Sequence, residues 1–285
     1  MPRLVFLYAE QFAGAGSTVM RGFQLADLAR HALRRHSVRI RPLGARTTNA
    51  TVFLTKGALR VATPVQLDDL LRRGNRLLFD PVDELPPSTT ARFADVLIAS
   101  SLTAFEEYGR SFPGTRVALV NHHVDPRLDT TPVQHSTFRA GYFGERVNAV
   151  LTDRIEEHVD VVPIDTSRED SGWLASIRDY SFHYAVRRHR ELDHYKPFLK
   201  GFTAAHCGTP LLIQRDQQEA VRWLGDDYPY LVDAPVSEEQ VLDALAQAES
   251  DFGSPRWRLA EAAMAGIRAR TTAQRIGEEL AAAVL

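Results

Sequence analysis

The chain of 285 residues contains a single cysteine, Cys207, so it cannot form an internal disulfide. Because disulfides are typical of oxidising compartments, its sequence predicts a reducing, cytoplasmic location. No run of about 18 apolar residues is present, so no transmembrane helix is predicted. The apolar stretch at residues 4–8 is too short for the core of a signal peptide and predicts a buried first strand.

A large excess of charge is also lacking, since the formal net charge is −2. This balance argues against a protein that mainly coats nucleic acid, although Arg34 and Arg35 are candidates for a local anion site. The sequence has no Cys/His spacing typical of zinc, so no metal site and no metal cofactor are predicted. His122 and His123 are adjacent in an extended segment and would point to opposite faces, so we expect one of them to line a cleft rather than chelate an ion.

Short apolar runs alternate with amphipathic segments of helical period, which predicts an α/β fold with mainly parallel sheets. A polar stretch at residues 121–134 interrupts the alternation, so we predict two Rossmann-like domains, 1–134 and 135–285, facing a cleft. The last helix is expected to be able to pack back on the first domain. The predicted strands are 4–8, 38–40, 51–54, 76–79, 96–98, 116–120, 139–143, 159–162, 182–186 and 210–213. Short elements are predicted around 219–224 and 230–232. The predicted helices are 17–35, one starting at Pro197, 238–247, and one or two within 255–285.

A glycine-containing turn, AGAGST at residues 13–18, follows the first predicted strand. Such a turn exposes backbone N–H groups at the positive end of a helix, so Gly14 and Gly16 are candidates for close approach by an anionic ligand. The spacing is not that of a dinucleotide fingerprint, and no Walker lysine follows. A tight turn with Ser17 or Thr18 as the helix cap is the alternative interpretation.

An acidic segment, DPVDE, follows the strand predicted at 76–79. Carboxylates at the carboxyl end of a parallel strand lie where such sheets bind ligands, so Asp80 and Asp83 are candidates for a catalytic base or for contacts to sugar hydroxyls. Solvated loop acids are the alternative, because Pro81 favours a loop.

The segment from Tyr195 to Pro210 predicts a helix with Pro197 at its first position and Gly208 as its C-terminal cap. With that start, Lys196 and Lys200 would lie on one face of the first turn, where two ammonium groups and free N–H groups would hold a diphosphate. Arg187 and Arg188 are candidates for support. A solvated basic face is the alternative.

These motifs resemble those of the GT-B glycosyltransferases over nearly the whole chain. The resemblance rests on the early glycine loop and its helix, the acid-ended strand at 76–79, the GYFG strand at 141–144, and the AAHCGTP turn at 204–210. It implies that the second domain binds a nucleotide sugar, with Thr203, Gly208 and Thr209 in the donor-binding segment, and that the first domain meets the acceptor. Many retaining members carry a glutamate where this chain has Thr203, so the usual grip on the nucleotide is altered.

The resemblance implies a metal-independent, hexosyltransferase-type enzyme of polysaccharide biosynthesis that moves a sugar from a nucleotide-diphosphate donor to a glycan or lipid-linked acceptor. Lys200 would stabilise the departing diphosphate, no further cofactor is expected, and the protein would act in the cytoplasm, with contact to the inner face of the membrane as an option. The altered grip leaves a noncatalytic subunit supporting a partner enzyme as the alternative, and a GT-B epimerase as a third. The sequence does not identify the sugar, base, acceptor, stereochemistry or oligomeric state.

Overall fold

The protein contains two parallel β-sheets flanked by helices, so the predicted α/β class is confirmed. The computed structural model describes residues 1–131, 133–165, 167, 171–188, 190 and 193–285. The first sheet has six strands in the order β2-β1-β3-β4-β5-β6, and the second has five in the order β11-β10-β9-β7-β8. The strands of the first sheet are β1 (Arg3–Tyr8), β2 (Ser37–Pro42), β3 (Thr51–Leu54), β4 (Arg76–Phe79), β5 (Val96–Ala99) and β6 (Arg116–Leu119). Those of the second are β7 (Ala140–Gly144), β8 (Val159–Pro163), β9 (Phe182–Tyr184), β10 (Leu211–Gln214) and β11 (Leu231–Val232).

The first sheet is buried on both faces, as its near-continuous apolar runs require. Along β1, Leu4 and Phe6 pack into the core on one face, whereas Val5 and Leu7 pack into the core on the other. The helices of this half are α1 (Gly16–Thr18), a π-helical stretch (Val19–Gln24), α2 (Leu25–Ala32), α3 (Lys56–Val61), α4 (Pro64–Arg72), α5 (Ser88–Ala91) and α6 (Leu102–Ser111). The helix predicted at 17–35 therefore ends earlier, at Ala32, and contains a π-helical segment.

The second sheet has its own core, in which Tyr142, Tyr184 and Phe202 are fully buried. Its helices are α7 (Asp153–Glu156), α8 (Trp173–Ser176), α9 (Leu199–Cys207), α10 (Gln218–Leu224), α11 (Glu238–Ser250) and α12 (Pro255–Arg270). Short 3-10 turns occupy Glu10–Phe12, Arg146–Asn148 and Ile177–Asp179. The two sheets thus belong to two separately packed halves.

The chain crosses between the two halves twice. The first crossing runs from the end of β6 to the start of β7, and the predicted boundary between residues 134 and 135 within it stays a prediction. The second lies at Thr271, after which helix α13 (Ala273–Val284) packs on α2 and the first sheet. Arg268, just before the second crossing, donates a 2.9 Å hydrogen bond to the carbonyl of Thr130 in the first.

Candidate functional site

The second sheet reverses its strand order at β7, because β8 lies on one side of β7 and β9 on the other. In open parallel sheets, ligands bind beyond the carboxyl ends of the strands at such a reversal. Strand β7 ends at Gly144, and β9 ends at Tyr184, which leads into residues 185–187. Residues 144 and 185–187 are therefore placed where this class of fold binds ligands.

Gly144 has a φ of 151°, a backbone conformation that favours glycine. A Cβ atom here would lie 2.9 Å from Nζ of Lys200 and 3.0 Å from the hydroxyl of Tyr142. The bare backbone of Gly144 therefore leaves the space that the Lys200 side chain uses.

Lys200 is the second residue of α9, and its side chain is directed back to the carboxyl end of β7. Its ammonium group donates to the carbonyl of Phe143 and lies 4.3 Å from the centre of the Tyr142 ring. Burial, together with the charges of Arg187 and Lys196, lowers the pKa of Lys200 to about 7. A bound anion would oppose each of these effects, since it would favour the charged ammonium.

Two further cations near Lys200, Arg187 and Lys196, are paired with the same carboxylate, that of Asp193. Its carboxylate lies 3.0 Å from a terminal nitrogen of Arg187 and 2.5 Å from Nζ of Lys196. The side chain of Asp193 is only 4% exposed, so the pairing is largely removed from solvent. Nε of Arg187 is buried without a hydrogen-bond partner in the described part of the chain. Arg187, Lys196 and Lys200 thus form a group of three cations, which we call the cationic cluster.

The predicted start of the donor-site helix is corrected by the structure, because α9 begins at Leu199 rather than at Pro197. Proline disfavours helical backbone in the residue before it, so Lys196 cannot belong to the first turn. Lys196 instead lies in a turn in which its N–H donates to the carbonyl of Asp193. The predicted cap is confirmed, since Gly208 adopts the left-handed conformation with a φ of 75°.

Of the remaining predicted donor residues, Arg188, Gly208 and Thr209 are placed away from the cationic cluster. Arg188 donates through Nε to the carbonyl of Ala149, at 3.0 Å. Thr203 lies one turn along α9 and is half-buried. Gly208 and Thr209 follow the C-terminus of α9, so seven helical residues, about 12 Å of rise, separate Gly208 from Lys200. The structure therefore places both at the opposite end of α9.

In the first sheet, the corresponding reversal of strand order lies at β1, and the turn with Gly14 and Gly16 follows that strand. Gly14 is exposed, and Gly16 begins α1 after the extended residue Ala15. The positive-φ glycines of the described residues do not include either of them. Gly14 and Gly16 therefore do not adopt an unusual backbone conformation. Their lack of side chains leaves open space beside the first helix.

Asp80 is bound on both oxygens by the guanidinium of Arg21, with two N···O distances of 2.9 Å. Both side chains have no exposed surface, and Arg21 also donates to the carbonyls of Val120 and Asn121. Desolvation raises the pKa of Asp80, and the Arg21 guanidinium opposes that shift. Both oxygens of this carboxylate are paired and out of reach of solvent, so the structure places Asp80 in a buried ion pair that ties the π-helical stretch to the end of β4.

Asp83, in contrast, lies nearer the surface and forms an ion pair with Lys56. Lys56 also lies 3.1 Å from the carboxylate of Glu84, which Arg60 binds as well. The Lys56 and Arg60 interactions lower the pKa of Glu84 against the effect of its burial. Of the two acids predicted to act on an acceptor, only Asp83 is both partly exposed and beside a loop.

His122 and His123 are both buried, with their rings stacked 5.6 Å apart. Burial, and then the charge of Arg21, lowers the pKa of His122 to about 3, so the ring is neutral at ordinary pH. Nε2 of His123 lies 3.2 Å from Oε1 of Gln24 on the π-helical stretch. The local sequence gives no sign of this contact, because Gln24 and His123 are 99 residues apart.

The start of α6, which follows the carboxyl end of β5, contacts the second half. The hydroxyl of Ser101 donates to the carbonyl of Tyr195, at 3.1 Å, and Glu219 accepts hydrogen bonds from the first turn of α6. Asp193 and Glu219 are functional candidates that only the structure reveals. The only local signal was their position, since each acid falls just before or within the first turn of a predicted element.

Within the described residues, no group of three or more His, Cys, Asp and Glu side chains is arranged to hold a metal ion. The helices of that same part include none that is long and apolar enough to cross a bilayer.

Burial raises the pKa of the Cys207 thiol to about 12, which keeps it protonated and unreactive at neutral pH.

No protein-family model and no curated protein matches this sequence. Solved structures do match. The Anabaena protein HepE, solved with UDP and glucose, has a TM-score of 0.67 at 11% identity over 99% of both chains. A glycosyltransferase from Rickettsia africae ESF-5 has a TM-score of 0.68 at 8% identity over 99% of this chain and 97% of its own. WaaG, a glycosyltransferase involved in lipopolysaccharide biosynthesis, has a TM-score of 0.60 at 10% identity over 99% of both chains.

These structures match both sheets along nearly the full chain. This protein has the GT-B fold. The predicted fold class, two Rossmann-like halves facing a cleft, is therefore confirmed. At these identities the GT-B likeness describes the arrangement of the chain, and the chemistry has to be argued from its own residues.

Proposed function

We propose that this protein is a glycosyltransferase that moves a sugar from a nucleotide-diphosphate donor to a hydroxyl-bearing acceptor. The observation that carries the proposal is the cationic cluster beside Gly144, at the strand-order reversal of the second sheet. Asp193 pairs with two of the three cations, Arg187 and Lys196, so the cluster keeps an excess of positive charge that a diphosphate would balance. HepE, which has the same fold, was solved with UDP-glucose, so uridine nucleotides are the first donors to test.

In this proposal the cluster acts on the leaving group. Breaking the bond between sugar and diphosphate places negative charge on the departing oxygen, and fixed cations stabilise that charge in the transition state. Lys200 is held for this by the Phe143 carbonyl and the Tyr142 ring, whereas Arg187 and Lys196 are held by Asp193. Such a site needs no metal ion, which is why we propose metal-independent transfer of a hexose.

The acceptor would approach from the first sheet. Asp83, which is paired with Lys56, is the acid that we assign to acceptor hydroxyls. Gly14 and Gly16 would border the acceptor site and, without side chains, leave room for the acceptor. We propose a glycan or a lipid-linked acceptor, as in polysaccharide biosynthesis. Replacing Asp83 by Asn should slow transfer while leaving nucleotide binding unchanged.

We also propose a cytoplasmic location with contact to the inner face of the membrane. The support is a run without any acidic residue between Asp27 and Asp68. Arg39 and Arg41 lie on β2, the edge strand of the first sheet, and have no ion pair in the part of the chain that the structure describes. Arg39 is exposed and Arg41 is half-buried, and guanidinium groups at the edge of a sheet attract anionic lipid headgroups.

The decisive experiment is calorimetry with UDP and other nucleoside diphosphates, combined with an assay for glucose released from UDP-glucose. Lys200→Met removes the charge but keeps an unbranched, apolar chain, and it should abolish both signals. Arg188→Met is the matched control, because that guanidinium is bound to the Ala149 carbonyl outside the cluster. If no nucleotide binds to the wild-type protein, a noncatalytic subunit becomes the better description.

A further inference from the structure

Helix α6 begins at the interface between the two halves, and its first turn is completed by residues from both. Four N–H groups at a helix start have no partner within the helix. Here they are those of residues 101–104, because the Phe105 N–H already donates to the Ser101 carbonyl. The Ala104 N–H donates to the Ser101 side chain. The N–H groups of Leu102 and Thr103 need an acceptor from outside the helix.

That acceptor is Glu219, on the first turn of α10 in the second half. Oε1 accepts from the Leu102 N–H and from Nε1 of Trp223, each at 2.9 Å. Oε2 accepts from the N–H and the hydroxyl of Thr103, again at 2.9 Å each. The side chain of Glu219 is 6% exposed, so four charge-assisted hydrogen bonds hold a buried carboxylate at this point.

A second contact at the same helix start leads to the cationic cluster. The Ser101 hydroxyl donates to the carbonyl of Tyr195, the residue that precedes Lys196. The Tyr195 ring also lies 6.1 Å from that of Tyr108 on α6. Asp193, two residues before Tyr195, binds Arg187 and Lys196. The start of α6 is therefore in contact with the segment that positions two of the three cations.

We infer that Glu219 is a positioning residue that fixes the closed arrangement of the two halves for sugar transfer. The inference rests on the proposed function for its kinetic consequence, but the contact itself can be tested without any ligand. When Glu219 leaves the start of α6, two backbone N–H groups and the Thr103 hydroxyl lose their acceptor, and the carboxylate keeps only its bond from Trp223. Separation of the halves therefore breaks a set of bonds rather than a single one, which favours closure. Closure brings Asp83 and the acceptor toward the donor.

The test compares Glu219→Gln with Glu106→Gln. The amide of Glu219→Gln offers one acceptor oxygen and places an NH₂ group against the remaining donors. Glu106 forms the exposed ion pair with Arg222 in the same interface, so its substitution removes a carboxylate without touching the start of α6. In the ligand-free protein, amide hydrogen exchange at Leu102 and Thr103 should be about tenfold faster in Glu219→Gln and unchanged in Glu106→Gln.

The kinetic expectation is a fall in kcat of about tenfold for Glu219→Gln, with the Kd for UDP within about threefold of wild type. Thr103→Val, which removes one of the four donors, should give a smaller effect of the same kind and serves if Glu219→Gln fails to fold. Wild-type exchange at Leu102 and Thr103 in Glu219→Gln would overturn the inference, as would faster exchange with unchanged kcat. If the wild-type protein binds no nucleotide, the proposed function fails, and the exchange measurement alone decides whether Glu219 holds the halves together.

Discussion

A methyl group on residue 144 would lie 2.9 Å from the ammonium of Lys200. Gly144→Ala should therefore displace the Lys200 side chain and weaken UDP binding about tenfold or more, since fixed cations bind phosphate through close placement. The substitution also places alanine at a positive φ and should cost roughly 1 kcal/mol of stability. Calorimetry and urea unfolding measure the two effects. Gly208→Ala, at a positive φ but away from the cluster, is the control for strain and should leave UDP affinity unchanged.

The affinity for UDP should fall as the pH rises above 7. The pKa of Lys200 is lowered to about 7 in the free protein, and a bound diphosphate raises it again because it favours the ammonium. Binding at pH 8 must then take up a proton, and each further pH unit should weaken affinity by up to about tenfold. Calorimetry in two buffers of different ionisation enthalpy measures the uptake. The same uptake in Lys200→Met would assign it to another group.

The ion pair of Arg21 and Asp80 should matter for stability rather than for turnover alone. Asp80→Asn leaves a fully buried guanidinium without its counter-charge, which should lower the free energy of unfolding by about 3–5 kcal/mol. Asp69→Asn removes a half-exposed partner of Arg73 and should cost less than about 1 kcal/mol. Urea unfolding compares the two variants. Equal, small losses would mean that Asp80 is free enough for a direct role at an acceptor.

Vesicle binding should depend on the edge strand of the first sheet. The double variant Arg39→Glu with Arg41→Glu should lose sedimentation with vesicles that contain phosphatidylserine, and salt should weaken wild-type binding in the same way. Arg72→Glu with Arg73→Glu is the matched control, because those side chains pair with acids of their own helix. Binding that survives the edge-strand substitutions would remove the support for membrane contact. Equal binding to neutral phosphatidylcholine vesicles would do so as well.

The strands could be predicted closely where an apolar run is bounded by polar residues or glycine. Both β3 and β4 have the predicted bounds, since each consists of one polar residue followed by three apolar residues. The start of α9 could not be placed, because Pro197 is compatible with a first helical position and with a turn before the helix. A turn forms here instead, because Asp193 binds both Arg187, which precedes it in sequence, and Lys196, which follows it.

The candidate site could be predicted only in part. Lys196, Lys200 and Arg187 are close in sequence to one helix and one strand, so their proximity follows from local order. The partner of Asp80 could not be inferred, because Arg21 is 59 residues away and reaches it only after the sheet has formed. The same holds for Glu219, whose role depends on how two separately packed halves meet.

Arg268 binds the carbonyl of Thr130, so the two chain crossings run side by side. Two neighbouring covalent links leave the halves less freedom than one, because twisting or sliding would stretch one crossing against the other. The motion that these two links restrict least is a single hinge rotation about an axis near the crossings. The contacts at the start of α6 would then hold the two halves together away from the hinge. Any substrate-driven motion should follow this one degree of freedom.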